Sequence, residues 1–285
     1  VVPDGLYTYQ FQGASTETGV TSMSATQQVT VDRMLPTATI TSPTQNQTFI
    51  TDDPLSFVGT ADDLNFQNYT FAYGAGVAPA SFTTLTTSTV KVTNGVLYTL
   101  DFSTTPLAPG TYTFRLTVTD RAGNVSQLDH VINFDHIQLT NISVTPVSID
   151  PYNAEQTSIG YTLSRSANIV LRIYQDVSKQ LIRTFTLPSQ SAGAHSVSWN
   201  GRTDSNAIAP LDAYYFTIVA TDTAGRRGTY NNAAAPLPGP TPSYYLTTSA
   251  ANFNPYRNDL VTISYNFNNA PGRLTTQIKS GGYSY

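Results

Sequence analysis

The 285-residue sequence has no cysteine, two glutamates, three lysines and one tryptophan. Without cysteine there is no disulfide framework and no thiolate metal site, so each folded unit has to rest on its own hydrophobic core. That absence assigns no compartment, because large secreted β-arrays dispense with cysteine when every module buries enough. Only 11% of residues are charged and the formal net charge is −4, with no basic cluster. Phosphates of nucleic acids and anionic membranes find little to hold on such a surface, and neither partner is expected. No run approaches the roughly 18 apolar residues of a membrane-spanning helix, and direct membrane insertion is not expected. Good helix formers are scarce. Thr, Ser, Asn and Gln supply the polarity instead, and β-branched Thr suits a pleated, solvated strand.

What is present is one phrase said three times. Residues 3–19 read PDGLYTYQFQGASTETG, residues 108–124 read APGTYTFRLTVTDRAGN, and residues 209–228 read APLDAYYFTIVATDTAGRRG. Tyr7, Tyr112 and Tyr214 therefore occupy one equivalent position, 105 and then 102 residues apart. Self-similarity at a fixed period marks a copied supersecondary unit, here of about 100 residues. Within the phrase the periodicity is two. Tyr112, Phe114, Leu116 and Val118 alternate with Thr113, Arg115, Thr117 and Thr119, which predicts a half-buried strand, and Tyr214, Phe216, Ile218 and Ala220 do the same. Such strands recur every 8 to 12 residues with Gly, Pro, Asn or Asp between them, the pattern of an antiparallel sandwich. The expected core residues are Tyr112, Phe114, Leu116, Trp199, Tyr214 and Phe216.

The stretch from about 140 to 232 resembles the immunoglobulin-like domain of flagellar hook-capping (FlgD-like) proteins. The residues that carry it are Ile159 to Leu163, Ile169 to Tyr174, then Ala192-Gly193 with His195, Val197, Trp199, Asn200, Gly201 and Arg202, and finally Tyr214 to Gly225; Asp212-Ala213 replaces the usual Gly before the Tyr. Residues 36–136 are similar to a different bacterial surface-protein immunoglobulin-like module, through SPTQNQTF, FVGTADDLNFQNYTFAYGAG and LAPGTYTFRLTVTDRAGN. The resemblance implies an all-β fold, tandem immunoglobulin-like antiparallel β-sandwiches in a rod-like array. The expected divisions are 1–35, the C-terminal part of a hook-capping-type module; 36–136, one complete domain; 137–232, a hook-capping-type domain; 233–250, a Pro-rich linker; and 251–285, the N-terminal part of a further module. The sequence thus reads as a segment of a longer array. Residues 255–278 repeat the opening of the third module at 151–173.

Candidate chemistry is sparse. Asp120 and Asp222 stand in T-D-x-A-G turns, where a short carboxylate accepts backbone N–H bonds. The acidic pairs Asp52-Asp53 and Asp62-Asp63, together with Asp120 or Asp101, are the candidates for Ca²⁺, which wants several oxygen ligands; Asp62, Asp63 and Asp120 lead, against a reading of solvated loops. No other cofactor is expected. His130, His136 and His195 are dispersed, with no metal-ligand spacing. No G-x-S-x-G, H-E-x-x-H or phosphate loop occurs, and the segment is not expected to be an enzyme. Trp199 is either a sugar-stacking platform or a core residue; the resemblance implies core. The functional expectation is a structural module array of a secreted or cell-surface protein: spacer, adhesive stalk or filament subunit, its incomplete end modules either truncated or exchanging strands between copies, with neighbouring modules or copies of itself as partners. The alternative is an accessory region of a secreted hydrolase, with glycan or cell-surface partners.

Overall fold

Alternating apolar and Thr-rich positions, cut every few residues by turn formers, leave the chain strands and little else. The computed structural model describes residues 2–151, 154–210, 212–237, 245–248, 262–266, 279–280 and 283–284. They divide into two compact units, Val1–His136 and Ile137–Tyr285.

The first unit opens with a hairpin. Strand β1 (Gly5–Tyr9) pairs antiparallel with β4 (Gln27–Val31), and β2 (Gln12–Ala14) with β3 (Thr21–Met23) nests inside it. A sandwich follows, made of β5 (Thr37–Ser42), β6 (Thr48–Phe49), β7 (Leu55–Asp62), β8 (Phe66–Ala75), β9 (Thr83–Ser88), β10 (Val92–Leu100), β11 (Gly110–Asp120) and β12 (Val125–Phe134). One sheet runs β10-β7-β5 and the other β6-β12-β11-β8-β9. The layers are joined by aromatic rings. Phe57 of β7 lies 4.5 Å from Phe114 of β11 and 4.9 Å from Phe71 of β8, centroid to centroid, and all three are fully buried. Rings of this size contribute both large apolar area and specific ring-to-ring geometry. Gly59 lets β5 close on β7: a Cβ there would sit 1.9 Å from the Thr39 carbonyl oxygen.

The second unit holds β13 (Leu139–Thr145), β14 (Thr157–Leu163), β15 (Ala167–Gln175), β16 (Leu181–Gln190), β17 (Gly193–Trp199), β18 (Tyr214–Thr221) and β19 (Arg227–Asn231). The sheets are β13-β14-β17 and β16-β15-β18-β19. Its core is mostly aliphatic. Ile169, Leu171 and Ile173 of β15 and Phe216, Ile218 and Ala220 of β18 meet Ile159, Tyr161 and Leu163 of β14. Trp199 closes one end; its Nε1–H donates to the Arg202 carbonyl at 2.9 Å and its ring meets Tyr214 edge-on at 5.2 Å. Gly228 repeats the role of Gly59, since a Cβ there would lie 2.0 Å from the Ile137 carbonyl oxygen.

Four short strands complete the described residues: β20 (Tyr245–Thr248) pairs with β21 (Ile263–Asn266), and β22 (Lys279–Ser280) with β23 (Tyr283–Ser284). The stretch 233–250, expected as a linker, is more than that. Leu237 packs on the aliphatic core and exchanges two backbone hydrogen bonds with Tyr214, at 2.9 and 2.6 Å, while residues 245–248 are strand. Leu237 thus ties the start of the Pro-rich run to the sandwich, and residues 238–244 lie outside the described residues. Most of the further module expected at 251–285 lies outside the described residues.

Candidate functional site

The repeated tyrosine marks the same structural spot three times. Tyr7 Oη donates to the Pro3 carbonyl at 2.9 Å, Tyr112 Oη to Ala108 at 3.1 Å, and Tyr214 Oη to Pro210. Each bond reaches back four residues and ties the start of the strand to the preceding turn, the tyrosine corner of immunoglobulin-type sandwiches. Phe114, Leu116, Trp199, Tyr214 and Phe216 are buried, whereas Tyr112 is half-buried, with its ring against Phe134.

The acidic residues separate into two groups. Asp62 ends β7 facing β10, where its carboxylate lies 2.7 Å from Lys91 Nζ and accepts from Thr93 Oγ1 at 2.7 Å. These hydrogen bonds, Lys91 foremost, hold its carboxyl below the usual range. Asp62 is therefore not a member of the acidic cluster expected of it. Asp63 is the first residue past the end of β7 and is released from its pairing. It meets Asp120, and the third carboxylate is Asp32, which the sequence reading did not name as a ligand. The three offer oxygens all within 4.8 Å of one another. Asp101 and Asp53 stay in their own turns, accepting from the Ser103 N–H and the Thr51 hydroxyl.

This cluster sits where the opening hairpin joins the first sandwich, and two asparagines stitch it. Asn65 Nδ2 donates to Asp32 Oδ2 at 2.6 Å, and the Asn65 N–H donates to Asp63 at 2.6 Å. Asn124 donates through its N–H and Nδ2 to Asp120, at 2.8 and 2.7 Å, and through Nδ2 to the Asp32 carbonyl at 3.1 Å. Burial pushes the Asp120 carboxyl up, but the bonds from Asn124, Ala122 and Gly123 outweigh it and the net shift is downward. Asp32, Asp63 and Asp120 are the residues that can hold a hard cation, with carbonyls and water completing six or more ligands. Beside them a cleft of about 470 Å³ is walled by Leu6, Val31, Met34 and Leu64.

The other candidates resolve into structure. Asp222 accepts from the N–H groups of Ala224 and Arg226, both at 2.9 Å, and pairs with the Arg226 guanidinium at 3.3 Å. His195 Nε2 is 2.8 Å from the Ser191 carbonyl. Trp199, buried at 3% exposure, offers no face to a sugar. A separate groove of about 480 Å³ carries Tyr73 and Tyr98 among Thr83, Thr84, Thr104 and Thr105.

Residues 149–224 match the FlgD Ig-like domain family. Among solved structures, the tetra-tandem repeat in the extending region of a large adhesion protein is 16% identical, with a TM-score of 0.33 over 87% of this chain and 60% of that one. The FN1–FN3 domains of chicken CNTN1 are 16% identical, with a TM-score of 0.27 over 79% and 76% of the two chains. A 1.5-MDa bacterial ice-binding adhesin is 12% identical, with a TM-score of 0.23 over 70% and 64%. The chain thus spans 60% of the length of the adhesion-protein structure. No curated protein matches it.

Proposed function

We propose that this chain is a length-setting region of a secreted or cell-surface protein: a spacer, adhesive stalk or filament subunit in which mechanical integrity is the activity. The observation that carries the reading is the connection at residues 136 and 137. His136 is 3% exposed and packs edge-on against Phe102 at 5.1 Å, inside the first unit; Ile137, the next residue, is 1% exposed in the core of the second. One peptide bond joins two cores, so the connection contributes no free residue. A spacer works by holding a fixed length per module, and slack between modules would defeat that. Asn65 and Asn124 serve the same end at the junction of the hairpin with the first sandwich.

Pulling a single chain by its ends tests this. Two discrete unfolding events are expected, each releasing about 350 Å of contour for roughly 100 residues. A smooth extension with no discrete events overturns the reading. The alternative, a glycan-binding accessory region, would have to use the Tyr73–Tyr98 groove, and Tyr98→Ala would then abolish glycan retention on an affinity column.

A further inference from the structure

A strand at the border of a sheet offers a row of unpaired backbone groups, and sheet proteins discourage further pairing there with short strands, bulges, charges or proline. Seven of the eight border strands of the two sandwiches carry such a device. Strand β6 is two residues long, and β5, β9, β10, β13 and β16 pair with their neighbours through register shifts. Strand β16 also holds Arg183 and Pro188, and β19 opens on Arg227. Strand β17 has none of these. Its residues, Gly193–Trp199, pair with β14 without a shift, and they include no proline and no Asp, Glu, Lys or Arg. Ala194, Ser196 and Ser198 are exposed, and among the described residues no strand lies on the second edge. A regular, uncharged edge of this kind is a template for strand addition.

The residues of the edge say which strand arrives. A two-fold contact sets a strand against its own reversal, so the strand has to read alike from both ends. Around Val197 it does. Ser196 and Ser198 flank it, the rings of His195 and Trp199 come next, then Ala194 and Asn200, and Gly193 and Gly201, at φ 117° and 69°, stand at equal distance on the two sides. We infer that β17 of one copy pairs antiparallel with β17 of a second copy about a two-fold axis at Val197, joining two three-stranded sheets into one. Val197 then faces its own counterpart, Ser196 faces Ser198, and His195 faces Trp199. A two-fold axis brings every charge near it against a like charge, and this strand has none to bring. The Ser198 hydroxyl donates to Gln156 Oε1 at 2.6 Å within its own copy, which leaves its lone pairs to accept from the facing Ser196 hydroxyl. At the two glycines the chain turns out of the strand with no side chain to meet the second copy. The contact is isologous and closes at two copies, a lateral pairing that goes beyond the spacer reading.

The cysteine-free background makes the register directly testable. Ser196→Cys protein is mixed with Ser198→Cys protein under a mild oxidant. Facing residues of antiparallel strands have Cα atoms about 4.5 to 5.5 Å apart, within disulfide reach, whereas two copies of residue 196 lie on a diagonal longer than about 7 Å. Disulfide-linked heterodimers are therefore expected about tenfold or more above the homodimers of either variant. Sedimentation of the unaltered chain is expected to show the mass rising with concentration from one copy to two and no further. Ser196→Lys/Ser198→Lys sets lysine against lysine and is expected to hold the mass at one copy with the far-ultraviolet circular dichroism unchanged. A single-copy mass of the unaltered chain at every concentration, heterodimers no more frequent than homodimers, or a folded lysine variant that still pairs overturns the inference. Each of these leaves the spacer reading standing, since that is measured by pulling on one chain.

Discussion

The two complete sandwiches solve one packing problem with different residues. The first bridges its layers with phenylalanines, the rings of Phe57, Phe71 and Phe114 lying 4.5 to 5.9 Å apart. The second relies mainly on Ile, Leu and Val, with Tyr161 and Phe216 set among them and Trp199 and Tyr214 meeting edge-on. What they share is the strand plan, the tyrosine bond and one glycine at which an incoming chain closes on a strand. Fold is thus set by period and turn, while the choice among apolar side chains is free as long as volume is filled. Their polar interiors differ as well. The first sandwich encloses Thr113, Asp120 and His130, and the last of these is 6% exposed with no partner for Nε2. The aliphatic one encloses the Tyr161 hydroxyl, whose pKa burial pushes up.

The contrast can be broken at either end because Trp199 is the only tryptophan and reports the second unit alone. Gly59→Ala and Gly228→Ala carry the largest effects, roughly 3 kcal/mol or more each, since the added methyl meets backbone that cannot step aside. Gly228→Ala is expected to lower the midpoint of the Trp199 fluorescence transition, and Gly59→Ala to leave it in place while a second transition in circular dichroism moves. Both variants shifting the Trp199 signal would show the units to be one cooperative block. Phe114→Ala is of the same order, at about 3 to 5 kcal/mol for a fully buried ring if the site fails to collapse, and less if it does; calorimetry reads it in the first unit's transition.

Acid should separate the two sandwiches by a smaller amount. Burial lowers the His130 pKa below 6.5 despite backbone bonds that favour the charged form. The native state then holds fewer protons at this site than the unfolded chain, so the contribution is complete above pH 6.5 and is lost as pH falls toward the lower folded value. The lowered carboxyls Asp120 and Asp222 act further down, their stabilisation lost below the ordinary value of 3.8. Between these windows the first unit alone is expected to weaken, and His130→Gln to flatten that slope in thermal melts taken from pH 7 to 4.5. The least effect is expected at Arg115, which pairs with Asp129 at 2.7 Å on the surface and lies over the Phe82 ring. Arg115→Ala should cost roughly 0 to 1 kcal/mol, shrinking at high salt.

Strand alternation made Phe114, Leu116 and Phe216 legible as core before any coordinates, because a period of two leaves one face for burial. The acidic cluster was half legible. Asp63 and Asp120 stand in turns that the sequence marks, but whether Asp62 or Asp63 faces the cluster depends on where β7 stops. Asp32 belongs to a different element and arrives only through tertiary closure. In the sequence it is only the aspartate that follows Val29-Thr30-Val31, which reads as a strand end rather than as a ligand. Leu237 was hidden by its prolines for a related reason: composition describes a window, whereas burial is decided by one side chain.

The single peptide bond between His136 and Ile137 also governs survival among proteases. A protease needs a stretch of chain it can draw out straight into its cleft, and most tandem proteins offer one between their domains. Here neither residue flanking that bond can be drawn out without opening the core that holds it. Cleavage at this joint is therefore tied to the unfolding equilibrium of a whole sandwich, and the joint is as durable as the weaker of its two neighbours.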